Sequence, residues 1–281
     1  MSTILSELKM IEKKASLRDP LVQTNPWLHL RQYTDARIAL GRAGNSLPTH
    51  AHLTFQADHA KARDAVHLPL DYALLKNNLQ KFGLPIITLE SGVDTRETYL
   101  QRPDLGRHLS TFSIEQLKHH KRNIHQDHDI AIVITEGLSS LAITENVDKM
   151  LGSLLPKLDQ LGLSLAPFTI VKQGRVAVAD DVAFYLKARM VVILIGERPG
   201  LSSPDSLGIY FTFQPEPGCI DSKRNCLSNI RPRGMTYQQA AECLIYLIKE
   251  ADKRGYSGVE LKDETVISRS SIGENFLLPR G

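Results

Sequence analysis

The sequence predicts an α/β protein: a doubly wound, mostly parallel sheet preceded by a helical N-terminal region. Two observations carry this reading. Ile130-Ala131-Ile132-Val133-Ile134 is an unbroken apolar run dominated by β-branched residues, the mark of a strand buried on both faces of a parallel sheet. Val147, Met150, Leu151, Leu154, Leu155, Leu158 and Leu161 then recur at steps of three and four, a wide apolar stripe that a helix lays on such a sheet. The alternation repeats downstream, and strands alternating with helices imply parallel crossovers.

In chain order, Met1 to Lys14 carries Ile4, Leu5, Leu8 and Ile11 at helical spacing, without the long apolar core or cleavage site of a secretory signal. Thr49 is placed to cap a helix that runs through Leu53 and Phe55 to Val66. The first hundred or so residues lack a strong sheet signal. Pro69, Gly83 and Pro85 break the pattern, and Arg102-Pro103-Asp104 with Gly106 marks a turn. Ser113 and Gln116 stand at capping-box spacing and open a charged, His-rich helix that leads to His128. A domain boundary is expected between residues 107 and 128, dividing a mainly helical region, 1–115, from the sheet domain, 116–281.

After the strand at Ile130 and its helix, in which Pro156 is expected to kink or divide the chain, Phe168-Thr169-Ile170-Val171 reads as a second strand. A short helix over Asp181 to Lys187 and a strand over Val191 to Ile195 follow. A further strand near Ile209 to Phe213 precedes a last helix. Thr236 and Gln239 box its start, and Ala240, Cys243, Leu244, Leu247 and Ile248 face inward.

Composition narrows the function. A chain of 281 residues, 42% hydrophobic, has enough apolar surface for a real core. An excess of three positive charges is too small for a nucleic-acid footprint. Three cysteines, Cys219, Cys226 and Cys243, leave an odd thiol without zinc spacing, which favours a reducing, cytoplasmic compartment over a disulfide framework. No segment approaches the ~20 apolar residues that span a membrane.

In sheets of this class ligands bind beyond the carboxyl ends of the strands. Three glycine-containing loops fall there: Glu136-Gly137-Leu138-Ser139-Ser140, Gln173-Gly174-Arg175-Val176 and Gly196-Glu197-Arg198-Pro199-Gly200. Topology alone leaves open whether these glycines make one ligand site or only tight connections. Arg175 and Arg198 suit an anionic group and Glu197 suits hydroxyl or amide donors, or else Glu197 and Arg198 are solvated neighbours. No G-x-G-x-x-G follows the first strand, no P-loop occurs, and Gly137-Leu138-Ser139 lacks the second glycine of a nucleophile elbow. The histidines at 108, 119, 120, 125 and 128 match no metal-site spacing. The residues by themselves therefore define an α/β ligand-binding domain. A nicotinamide-dependent oxidoreductase and a non-catalytic interaction module remain as rival readings.

A more specific signal lies in motifs spread over nearly the whole chain. Thr34-Asp35-Ala36-Arg37-Ile38, Leu40 to Thr49 (LGRAGNSLPT) and Asp58 to Val66 (DHAKARDAV) resemble the N-terminal signature of ethanolamine ammonia-lyase small subunits. Tyr99 to Arg107 (YLQRPDLGR), Glu136-Gly137-Leu138-Ser139 with Ala142-Ile143-Thr144, Gly174-Arg175-Val176, Gly196 to Leu201 (GERPGL) and Cys226 to Ile230 (CLSNI) are similar to that family's motifs, in the family's order. The resemblance implies a Rossmann-like domain that covers adenosylcobalamin. A large (β/α)8-barrel partner subunit holds ethanolamine and its catalytic residues. In that family a 5′-deoxyadenosyl radical initiates conversion of ethanolamine to acetaldehyde and ammonia. Carried over by position, the cobalamin contacts are Val176, Glu197 and Cys226, with Arg175 as a further hydrogen-bond donor. No D-x-H-x-x-G occurs, which fits a base-on cofactor. The family's usual Asp in the first loop is Glu136 here. The long Ala/Pro-rich linker of members packaged in bacterial microcompartments does not occur, so the cytoplasm is the expected location, with a microcompartment as the alternative.

Overall fold

Ile130, Ile132 and Ile134 point to one apolar layer while Ala131 and Val133 point to another, so this strand is covered on both faces. In the computed structural model, which describes residues 21–123 and 127–264, the strand is β2 (His128–Thr135) at the centre of a six-stranded sheet. The proposed N-terminal helix over 1–14 lies outside the described residues. So does His125 of the His-rich segment.

The chain divides into two compact units, Met1–Arg63 and Asp64–Gly281. The described part of the first holds a 3-10 helix, Pro26–Gln32, opened by Asn25, whose side chain accepts from the Trp27 N–H. Gly41, at φ +78°, lies so close to the Gln23 carbonyl that a Cβ there would collide with it. Helix α1 (Thr49–His67) starts in this unit where the sequence predicts it. Arg37 binds Asp58 at 2.6 Å and lies over Phe55.

The second unit carries the sheet, in the order β1-β3-β2-β4-β5-β6. Strands β1 (Ile86–Glu90), β3 (Phe168–Lys172), β2 and β4 (Ala188–Gly196) are parallel. Strand β5 (Leu207–Phe213) runs antiparallel to β4, and β6 (Arg224–Ile230) runs antiparallel to β5. The segment 197–206 is too short to carry the helical crossover that a parallel partner needs, so the chain turns back. One face is covered by α2 (Tyr72–Gln80), α5 (Ser140–Gln160) and α7 (Tyr237–Arg254), with Leu75, Leu151 and Leu244 among its buried residues. The other is covered by α4 (Thr111–Asn123) and α6 (Val178–Tyr185), through Leu117 and Val182. A short helix, α3 (Arg96–Gln101), lies between β1 and α4 in sequence.

The α/β class and the mostly parallel sheet match the sequence reading, and the capping box at Thr236 and Gln239 is formed. Three local expectations are corrected. The segment before residue 107 contributes a strand, β1. Helix α5 continues through Pro156 without dividing: the proline forfeits one bond, to the Gly152 carbonyl, while Leu151, Leu154 and Leu158 stay buried on both sides of it. Helix α4 is opened by Ser110, whose hydroxyl accepts from the Ser113 N–H, and Ser113 is a buried residue inside it that accepts from the Glu90 N–H.

Candidate functional site

The loops that follow β2, β3 and β4 meet at one edge of the sheet. Their approach depends on glycine: at Gly137, with φ +55°, a Cβ would strike the Gly196 carbonyl, and at Gly196 it would strike the Ser139 carbonyl. Glu136, 2% exposed, ties the first loop to the second. Its Oε1 accepts from the Tyr72 hydroxyl at 2.7 Å and from the Gln173 N–H at 2.9 Å. The hydroxyl of Thr135 accepts from the Gly174 N–H at 3.0 Å. Burial, reinforced by the charge of Glu136, pushes the Tyr72 hydroxyl well above its usual pKa, so it remains a neutral donor.

The second loop is also held from the segment 96–107. Tyr99, fully buried, donates its hydroxyl to the Gly174 carbonyl at 3.1 Å. The Arg175 guanidinium carbon lies 4.1 Å from the Tyr99 ring centroid and that of Arg96 lies 4.8 Å from it. Arg175 also donates from Nη2 to the Tyr99 carbonyl, and its backbone N–H binds the Gly106 carbonyl at 2.7 Å. Arg96 spends its donors on carbonyl oxygens: Val66 at 2.7 and 2.9 Å and Gly137 at 2.8 Å. Burial lowers its pKa from the usual arginine value.

The third loop is fixed by Glu197. Its Oε1 accepts from the Ser228 hydroxyl at 2.6 Å, while Oε2 accepts from the Ser206 hydroxyl and from the Asn229 N–H at 3.1 Å. One carboxylate thus joins β4 to the segment before β5 and to β6. At the start of β6, Arg224 forms a bidentate pair with Asp180 at 2.7 Å, the side chains 3% and 1% exposed. Arg224 also donates to the Cys219 carbonyl, and Asp221 bridges it to Arg107.

Two cavities open between these groups. One, of about 390 Å³, is bounded by Gly137, Leu138, Arg175, Val176, Gly196, Glu197 and Tyr210, among others. The other, of about 690 Å³, is bounded by Pro103, Arg107, Arg175, Val176, Tyr210, Asp221 and Cys226, among others. Arg175, Val176 and Tyr210 belong to both. Cys226 pairs with Tyr210 across β5 and β6 and is exposed at the rim. Partial desolvation of its sulfur against the cavity wall, aided by the charge of Glu197, raises the thiol pKa, so it is uncharged at neutral pH.

The chain matches the family model "Ethanolamine ammonia-lyase light chain (EutC)" over residues 24–262. It is 54% identical over 272 residues to the ethanolamine ammonia-lyase small subunit of Azotobacter vinelandii, covering 94% of this chain and 99% of that one. It is 51% identical over 261 residues to the Pseudomonas aeruginosa (strain LESB58) small subunit, covering 91% and 95%. The chain belongs to the ethanolamine ammonia-lyase light-chain family.

Within this light chain, the four residues singled out from sequence, Arg175, Val176, Glu197 and Cys226, all line one or both cavities. Arg198 is exposed on the wall of the smaller one. Sequence reasoning missed Tyr99, Tyr210 and Arg107 as wall residues and Tyr72 as the partner of Glu136. Tyr99 and Arg107 lie at the two ends of a quoted motif. Tyr210 and Tyr72 had no local signal. Among the described residues no group of three or more His, Cys, Asp or Glu is arranged to hold a metal ion, and no helix is long and apolar enough to cross a membrane.

Proposed function

We propose that this light chain forms one wall of an adenosylcobalamin site. A large (β/α)8-barrel subunit closes that site and carries the residues that act on ethanolamine. The observation that carries the reading is the pair of cavities joined at Arg175, Val176 and Tyr210, with Glu197 on one and Cys226 on the other. A corrinoid is a broad apolar ring fringed with amides, and these residues fit one. Arg175 holds donors, including a buried Nε without a partner. Val176 offers apolar surface, and the Oε1 of Glu197, with one hydrogen bond received, retains a lone pair for an amide N–H. Cys226, neutral, packs without competing as a charged ligand.

Bound there, adenosylcobalamin supplies the radical chemistry that turns ethanolamine into acetaldehyde and ammonia. The residues of this chain bind and orient it and keep water from that side. The protein works in the cytoplasm, as a hetero-oligomer of small and large subunits. The test is co-expression with the large subunit and assay of acetaldehyde from ethanolamine. Product that requires both chains and adenosylcobalamin is expected. Turnover by the isolated chain, or a well-folded complex whose product formation ignores the cofactor, overturns the reading.

A further inference from the structure

We infer that Arg175 is the anion anchor of this site, reading the phosphodiester in the nucleotide arm of the bound corrinoid, and that Tyr99 is the positioning residue that holds it ready. This rests on the cobalamin reading above and deepens it. Of the arginines around the larger cavity, Arg224 is neutralised by Asp180 and Asp221, and Arg107 by Asp221. Asp104, on the same wall, is held by Arg102. No carboxylate among the described residues lies within 4.0 Å of the Arg175 guanidinium, whose protein partners are the Tyr99 carbonyl and ring. The wall shared by both cavities therefore carries a cation with no ion-pair partner beside it.

The second step is preorganisation. Arg175 is fixed at its backbone by Gly106 and at its guanidinium by Tyr99, which is fully buried and pinned to Gly174. Gly106 favours this fit, because a Cβ there would lie 3.0 Å from the Arg175 Cγ and from the Gln173 carbonyl, and these would have to give way. A long flexible side chain held this way loses little further freedom on binding. The third step is the unmet donor. Arg175 Nε is buried without an acceptor, a costly state that an oxygen-rich ligand against this wall relieves. A cobalamin presents many neutral amides but a single anion, its phosphodiester, and a guanidinium gains most from a charged oxygen acceptor.

The experiment uses the complex of both subunits and measures dissociation constants by equilibrium dialysis. The ligands are cyanocobalamin and dicyanocobinamide, which lacks the nucleotide arm and its phosphodiester. Arg175→Met should weaken cobalamin binding about tenfold to a hundredfold, the loss of a charge-assisted hydrogen bond, and leave cobinamide binding within about twofold. Arg175→Lys, which keeps the charge but not the planar fork, should fall between. Tyr99→Leu should reproduce the selective loss and Tyr99→Phe, which keeps the ring under the guanidinium, should restore it. A merely structural role for Tyr99 would weaken both ligands together. Millimolar inorganic phosphate should compete with cobalamin in the unaltered complex and not in Arg175→Met, which separates a general phosphate pocket from one shaped by the corrinoid. Equal loss for both ligands, or no loss, overturns the anchor while the cofactor reading stands. Failure of the unaltered complex to bind either corrinoid overturns both.

Discussion

The two rims of the same pair of cavities are built in opposite ways. Along β5 and β6 the two most strongly bound charges are answered from within: Glu197, after β4, receives three donors, and Arg224, at the start of β6, is bound by Asp180, Asp221 and the Cys219 carbonyl. At the end of β3 the backbone is equally well fixed, through Glu136, Thr135 and Tyr99, yet Arg175 is left without a carboxylate and with one buried donor unmet. A satisfied polar network sets shape, and an unsatisfied one held on a rigid frame meets a ligand. Substitutions on the first rim should therefore register in stability before affinity. Those at Arg175 should register in affinity before stability.

The largest effect is expected at Asp180. Asp180→Ala removes the bidentate partner of buried Arg224 and leaves it only the exposed carboxylate of Asp221, which should lower the unfolding free energy by about 3–5 kcal/mol in urea titrations. The double variant Asp180→Leu with Arg224→Met removes both charges and should recover most of that loss. A single variant within about 1 kcal/mol of the parent would break the contrast, because the pair would then not be the strut that it looks like.

Next comes Glu136. Glu136→Ala strands the Tyr72 hydroxyl and the Gln173 N–H and should cost about 1–3 kcal/mol. Glu136→Gln retains an oxygen where both donors meet and should cost less. If the two variants behave alike, the carboxylate does not organise the second loop. Glu197→Ala is intermediate in kind. It strands the Ser206 and Ser228 hydroxyls and the Asn229 N–H, so stability should fall, and cobalamin affinity should weaken by about 1–3 kcal/mol in the same complex. Loss of stability with unchanged affinity would leave Glu197 as a strut and remove it from the ligand wall.

What the sequence made legible follows the same division. Strands β2 and β4 announce themselves because burial on both faces leaves no room for polar residues, and α7 because its cap and apolar stripe are local. Edge strands do not: Ile86–Glu90 buries one residue fully, and Arg224–Ile230 keeps only Arg224, Leu227 and Ile230 inside, without alternation. Helix α4 shows how capping motifs mislead, since Ser110 and Ser113 both suit the role and the tertiary contact of Ser113 with Glu90 decides between them. The glycine loops with Arg175, Val176 and Glu197 are readable as residues of one edge, whereas Cys226, inside β6, is singled out only by the family resemblance. The supports of the loops are not readable, because Tyr99 meets Arg175 from 76 positions away and Tyr72 meets Glu136 from 64.

The smallest effect tests the satisfied rim through pH. Asp221 is exposed, but the hydrogen bond from Arg107, opposed by partial burial and aided by the charges of Arg107 and Arg224, holds its carboxyl below the usual carboxylate range. A carboxyl whose pKa is depressed on folding adds stability that is fully present above its unfolded value of about 3.9 and lost as pH falls through the folded value. Solvent screens this exposed pair, so the contribution at neutral pH should stay below about 1 kcal/mol. Asp221→Asn should therefore lower the urea midpoint slightly at pH 7. At acid pH, once the parent's carboxyl is also protonated, the two midpoints should converge. A difference that persists unchanged at low pH would mean that Asp221 acts through the shape of its hydrogen bonds rather than its charge.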